Sequence, residues 1–193
     1  DIVGIIRSAI VILTSDDIQG GSTITQQLAR TLYLTMEQTW KRKIKEAFIA
    51  LWLEQNYSKN EILELYINSV YLGNGVFGFP AAAKYYFNKT LDQLSTSEIA
   101  MLVATLRSPE KANPLKDLNT DFSKTVLRKA LEEEVINSGE YDEALKKIGE
   151  KHLYAVKTAS QSFDNDLFWM VVLELRDLGF ELGNLRNGSR VRT

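Results

Sequence analysis

A chain of 193 residues with 45% hydrophobic and 25% charged residues is long enough to bury one sizeable core, and its usage is that of an ordinary globular protein. Its 23 Lys and Arg against 25 Asp and Glu leave a net charge of −2, which excludes a chain-wide basic field for nucleic acid; an anion site would have to be a local cluster. With no cysteine, disulfides and zinc–thiolate sites are excluded, and no apolar run approaches the roughly 18 residues of a membrane span.

The chain opens on "DIVGIIRSAIVIL", already in an apolar helical pattern that predicts a first helix over 2–13. So abrupt an opening reads as a cut within a domain, with room before it for a membrane anchor. Next comes "QGGSTITQQLAR", two glycines and a polar run leading into a helix over 23–34, where Thr23 and Gln26 have capping-box spacing. A third helix is predicted over 39–55. A fourth follows in "KNEILELYINSVYL" to Leu72, with Ser58 as N-cap and Glu61 three residues on. "GNGVFG", Gly73–Gly78, matches the dinucleotide pattern G-x-G-x-x-G, but a helix precedes it where a strand is needed, so it reads as a close-packed turn or a backbone surface open to substrate. Pro80–Phe87 predicts a short helix. Ser95, with Glu98 at capping-box spacing, starts another that runs to Leu106. Pro109 and Pro114 mark an irregular crossing. Charged amphipathic helices over Ser123–Ile136 and Tyr141–Tyr154, split by "NSG", then one over Phe163–Leu178, complete a mainly α fold, with weak β alternation in the final "SRVRT". His152, the single histidine, lies far from the polar clusters and reads as a surface residue.

The third helix carries the first chemical signal. At about 100° per residue, Arg42, Glu46, Ile49 and Leu53 share one side, with Lys43 and Ala50 beside them. The run from Ala47 to Leu53 is apolar all round, which predicts burial of that half. Glu46 then has two readings: an i,i+4 surface ion pair with Arg42, or a desolvated carboxylate flanked by cations, a common way to position a catalytic group. Gln27 and Arg30 share a face of the second helix. If the two helices pack side by side, Arg30, Arg42, Lys43 and Lys45 gather near one carboxylate, an arrangement suited to a phosphate or pyrophosphate.

In this order the segments resemble the peptidoglycan glycosyltransferase family, glycosyltransferase family 51: the transglycosylase domain of class A, bifunctional penicillin-binding proteins and their monofunctional relatives. "GGSTITQQLAR" looks like the family's second motif, "RKIKEAFIA" the third, "NEILELYINSVYLGNGVFGFPAAAKYYFNK" the fourth and "LSTSEIAMLVATLRSP" the fifth. The resemblance covers roughly residues 1–115. It implies a lysozyme-like helical domain with a small membrane-facing lobe on the outer leaflet of the cytoplasmic membrane, hence an extracytoplasmic enzyme. It further implies polymerisation of lipid II into glycan strands by inverting transfer: the 4-hydroxyl of the acceptor attacks the anomeric carbon of the lipid-linked growing strand, and undecaprenyl pyrophosphate leaves. Moenomycin-type inhibitors would bind the same cleft. The implied organisation is a glycosyltransferase domain over 1–160 and, over 161–193, a C-terminal helix and the start of a linker to a transpeptidase domain in the same parent chain.

Carried over residue by residue, the resemblance makes Glu46 the candidate catalytic residue. Thr23, Gln26, Gln27, Arg30, Arg42, Lys43 and Asn68 become candidates for holding sugars and pyrophosphate, and Tyr71 shapes the cleft. Arg30 stands where the family usually has lysine, Thr31 where asparagine is common, and Arg107 where proline is usual. The family's general base is a glutamate of its first motif, whose following sequence "DIVGIIRSA" resembles, so the base is expected before Asp1. The alternative follows: the chain as it stands is a lipid II- or moenomycin-binding piece without its general base. A muramidase of the same broad fold would also use a glutamate, but no segment resembles its motifs. The only cofactor the family implies is a divalent cation, Mg or Mn, for which the sequence offers no ligand cluster.

Overall fold

The computed structural model of the chain describes residues 6, 8, 10, 22–33, 40–149 and 166–179. Among these the regular elements are helices, apart from one β-bridge between Tyr71 and Phe77, as the mainly α reading expects. Two compact units result, Ser22–Val70 with Ser160–Thr193, and Asp1–Gly21 with Tyr71–Ala159.

In the unit containing Ser22–Val70, helix α1 (Ile24–Tyr33) packs on α2 (Trp40–Asn56) and α3 (Lys59–Ser69) through Leu28, Ala29 and Leu32, all fully buried. Thr23 starts α1: its hydroxyl accepts from Gln26 N at 3.2 Å and its carbonyl from Gln27 N at 2.9 Å. The predicted capping box of α3 is formed. Ser58 Oγ accepts from Glu61 N, and Glu61 Oε2 accepts from Ser58 N at 2.8 Å. The Ser58 hydroxyl also donates to Glu61 Oε2 at 2.6 Å, and this bond, with the one from the Ser58 backbone, holds the Glu61 carboxyl below its ordinary range. The expectation that α3 runs to Leu72 is corrected: it ends at Ser69, and Val70 turns extended with ψ 140°. Helical spacing cannot register this end, because Tyr71 leaves the helix to form its bridge with Phe77 and Leu72 N bonds to Val76 O.

A second correction concerns α2. Ile49, Ala50 and Leu53 are buried, but Phe48 is 61% and Leu51 57% exposed, in line with Ile44 at 55% and Trp40 at 86%. An all-apolar run leaves open which side its neighbours cover, and α1 and α3 cover the other one.

Helix α8 (Asp166–Asp177), inside the predicted 163–178, packs on α3 with Val171, Val172 and Leu175 buried. The Tyr57 hydroxyl donates to Glu174 Oε2 at 2.9 Å. Partial burial, and then this bond to a carboxylate, push the Tyr57 phenol up from 10.0 to about 12. The fold therefore favours the protonated phenol. Its contribution is present below the unfolded value near 10 and is lost as pH rises through about 12. In an alkaline titration followed by near-ultraviolet absorbance, the difference between the wild type and Tyr57→Phe should show one phenol ionising near 12; a midpoint near 10 would refute the coupling to Glu174.

In the other unit, Ile6 and Ile10 are buried one helical turn apart. Tyr86 donates to Leu72 O at 2.7 Å and accepts from Asn74 Nδ2 at 3.2 Å, which anchors the glycine-rich turn. Helix α4 (Phe79–Ala82) widens into a π turn over Ala83–Phe87 and stops at Asn88 in the left-handed region, φ 54°. Helix α5 (Thr96–Thr105) is capped by Ser95 and Glu98 as predicted, and Lys89 pairs with Glu98 at 2.8 Å. Helix α6 (Leu118–Glu132) begins five residues before the predicted Ser123 and ends before Ile136. The extra turn places buried Asn119, whose amide donates to Met101 O at 2.8 Å and Ala112 O at 2.6 Å while its oxygen accepts from Ser123 Oγ at 3.0 Å. Polar "LNTD" reads as loop until those acceptors are known. At the far end Glu134 takes φ 56° and Val135 N closes on Ala130 O. Helix α7 (Ser138–Gly149) starts before the predicted Tyr141, because Asn137 of "NSG" is a cap: Oδ1 accepts from Glu140 N at 3.0 Å, and Glu140 Oε2 accepts from Asn137 N at 2.8 Å. Residues 2–13 other than 6, 8 and 10, the stretch 150–154 with His152, and "SRVRT" lie outside the described residues.

Candidate functional site

The side-by-side packing of α1 and α2 brings Arg30 to the helix that carries Arg42, Lys43 and Glu46. Glu46 is 0% exposed. Arg42 Nε lies 3.0 Å and Arg30 Nε 3.6 Å from its Oε1, and Lys43 Nζ lies 3.4 Å from its Oε2. The i,i+4 pair with Arg42 is thus real, but it is one of three, and the carboxylate is wholly removed from water. Lys45, the fourth expected cation, is not among these ion pairs.

The cations are not removed from water. The side chains of Arg30, Arg42 and Lys43 are 50%, 20% and 47% exposed. Among the described residues, three part-exposed positive charges thus surround this one buried carboxylate. The Arg42–Glu46 contact is close in distance, yet neither Arg42 Nε nor Glu46 Oε1 has an aligned hydrogen bond. Charge therefore holds this pair more than directional bonding does. Such an array suits an anion with several oxygens, since the donors are pre-placed and still reachable. It suits a divalent cation poorly, because the carboxylate is already surrounded by positive charge. Among the described residues no group of three His, Cys, Asp or Glu is placed to hold a metal ion.

The polar residues before and within α1 divide in two. Thr23 and the Gln26 backbone close the helix start. Gln27 reaches inward: Tyr66 on α3 donates its hydroxyl to Gln27 Oε1 at 2.9 Å, and Gln27 Nε2 lies 3.4 Å from Ser22 O. Ser22 Oγ also accepts from Lys43 Nζ at 3.1 Å, which links the segment before α1 to the cation cluster. Asn68 bonds back to Glu64 O on its own helix at 3.0 Å, and among the described residues no hydrogen bond or ion pair joins it to the cluster. Sequence reasoning missed Ser22 and Tyr66. A buried tyrosine hydroxyl must find a partner, but Gln27 lies 39 residues away and only the packing of α1 on α3 identifies it. Burial pushes the Tyr66 phenol well above its ordinary range, with nearby Arg30 opposing.

Comparison with known proteins agrees with the motif reading. A family model described as "Transglycosylase" matches residues 1–133. The chain is 46% identical over 150 residues to penicillin-binding protein 1A of Aquifex aeolicus, covering 76% of this chain and 21% of that protein. It is 45% identical over 146 residues to penicillin-binding protein 1A of Escherichia coli, covering 74% and 17%. To penicillin-binding protein 1F of Bacillus subtilis it is 46% identical over 118 residues, covering 60% and 16%. The crystal structure of penicillin-binding protein 1A from Haemophilus influenzae aligns with a TM-score of 0.46 at 30% identity, covering 82% of this chain and 21% of that one. The chain thus spans about a fifth of the length of these relatives.

Proposed function

Because the chain belongs to the transglycosylase family, we propose that it is the peptidoglycan glycosyltransferase portion of a class A penicillin-binding protein, polymerising lipid II with release of undecaprenyl pyrophosphate. The observation that carries this is the buried Glu46 beneath three part-exposed cations. Glycosyl transfer from a lipid pyrophosphate builds negative charge on the departing oxygen, and donors already aimed at that position lower the barrier without reorganising. Arg30, Arg42 and Lys43 supply those charges, Gln27 adds an amide donor, and Glu46 holds the cations in one array. The 4-hydroxyl proton of the acceptor goes to a separate carboxylate, the glutamate that the family resemblance places in the first motif.

On this reading residues 1–160 form the glycosyltransferase domain, and 161–193 lead toward a transpeptidase domain of the parent protein. The enzyme works at the extracytoplasmic face of the membrane, where its lipid-linked substrate resides. Support for membrane contact comes from α2: Trp40, Ile44, Phe48 and Leu51 recur at helical spacing, are more than half exposed and lie roughly opposite Glu46, with Lys41 and Lys45 alongside. An apolar stripe with basic flanks and a tryptophan is the pattern of a helix resting at a lipid interface.

The full-length protein should convert lipid II in phosphatidylglycerol-containing vesicles into glycan strands, and a moenomycin-type phosphoglycolipid should block it. Phe48→Asp should slow the reaction in vesicles more than in detergent micelles. Release of soluble muropeptides from finished cell wall in place of polymerisation would replace this reading with a muramidase. Equal slowing of Phe48→Asp in both media would remove α2 from the membrane contact.

A further inference from the structure

Tyr66 is 1% exposed, the ring sits in the core, and the hydroxyl meets Gln27 Oε1 at 2.9 Å. The direction of that bond is set by the other end of the Gln27 amide. Its nearest partner there is the carbonyl of Ser22, at 3.4 Å. A carbonyl only accepts, so the NH2 must face it; the flipped amide would place two oxygens together. Gln27 Oε1 therefore points at Tyr66, and Tyr66 must donate. The Ser22 carbonyl occupies one of the two amide protons. The other remains for a ligand, one helical turn from Arg30 and beside the Lys43–Ser22 link.

We propose that Tyr66 is a positioning residue of the glycosyl-transfer site: it holds the Gln27 carboxamide in the orientation that the Ser22 carbonyl selects, so that Gln27 serves as a hydrogen-bond donor and takes a phosphoryl or carbonyl oxygen, not a hydroxyl proton. This rests on the pyrophosphate reading of the cation cluster. It adds a residue from α3 to that site and assigns Gln27 a polarity. Without the hydroxyl, Gln27 Oε1 loses its partner, the 3.4 Å contact with the Ser22 carbonyl is left to hold the amide by itself, and the donor is no longer fixed toward the ligand. Losing one oriented donor to a charged acceptor is worth about 1–1.5 kcal/mol, or roughly five- to tenfold in affinity.

Two measurements on the intact protein test this. In the ligand-free state, the side-chain NH2 resonances of Gln27 should be well separated and shifted from free-amide values in the wild type, and should move to free-amide values in Tyr66→Phe at an unchanged fold by backbone spectra. An unmoved pair overturns the positioning role. Binding of undecaprenyl pyrophosphate in detergent micelles, with undecaprenol as the control lacking phosphate, tests the ligand. Tyr66→Phe and Gln27→Ala should each weaken pyrophosphate binding about five- to tenfold, and the double variant should be no weaker than Gln27→Ala alone. Multiplied effects in the double variant would show that Tyr66 acts independently of Gln27 and sink the inference. Equal wild-type affinity for both lipids would instead sink the pyrophosphate reading, and with it the assigned ligand, while leaving the resonance test to judge the amide.

Discussion

Glu46→Gln should lower lipid II polymerisation by the full-length protein at least about tenfold, with the fold retained. The substitution preserves shape and removes one negative charge. Arg30, Arg42 and Lys43 all converge on that charge within 3.6 Å. Without it, three like charges face one another; two cations about 6 Å apart repel by ~3 kcal/mol at an effective dielectric near 20. They can relieve this by swinging outward, since Arg30 and Lys43 are already about half exposed. That escape limits the loss of stability to about 1–3 kcal/mol, but it destroys the pre-placed array on which the rate depends. A tenfold loss corresponds to about 1.4 kcal/mol of barrier. An isolated surface pair between Arg42 and Glu46 contributes only about 0.3–0.5 kcal/mol, close to a factor of two. Steady-state rates at saturating lipid II, alongside a thermal melt, separate the two readings: wild-type turnover in the variant would reduce Glu46 to a structural ion pair.

Gly73→Ala should cost about 2–5 kcal/mol, where the same substitution at Gly75 costs about 1–2 kcal/mol. Both glycines have positive φ, +83° and +75°, so each pays the left-handed penalty of roughly 1–2 kcal/mol on gaining a side chain. Their surroundings differ. A Cβ at Gly73 would meet Pro109 O at 2.4 Å and Asn113 Cβ at 3.2 Å, whereas nothing lies within 4 Å of one at Gly75. The obstructing atom is backbone, and it is held in place, because Pro109 O accepts from the Asn113 amide at 2.9 Å. Overpacking against a fixed neighbour adds roughly 1–3 kcal/mol. Chemical denaturation of both variants checks this, and equal losses would mean that backbone conformation alone accounts for the glycine-rich turn.

The contrast between those glycines shows where a sequence stops being informative. "GNGVFG" displays a need for backbone freedom, but the approach of Pro109 to one glycine and not the other is a fact of packing. The same division runs through the helices. The start of α3 was legible because Ser58 and Glu61 satisfy each other across a single turn, and α5 repeats the device with Ser95 and Glu98. The end of α3 was not, since its hydrogen-bonding alternative, the bridge from Tyr71 to Phe77, lies beyond the helix. The early start of α6 depends on Asn119 reaching Met101 and Ala112, which no local pattern encodes.

By itself the sequence determined the helical class, the capped helix starts, the family through its ordered motifs, and the Arg42–Lys43–Glu46 grouping, because all of these rest on neighbours within a turn or on the strings of residues themselves. Only the tertiary structure decided that Glu46 is wholly buried, that Arg30 joins its ion pairs, that Tyr66 bonds to Gln27, and that α2 keeps Trp40, Ile44, Phe48 and Leu51 outside. Helical periodicity assigns residues to a side of a helix. Which side meets α1 and α3, and so which charge loses its water, depends on contacts between segments far apart in the chain.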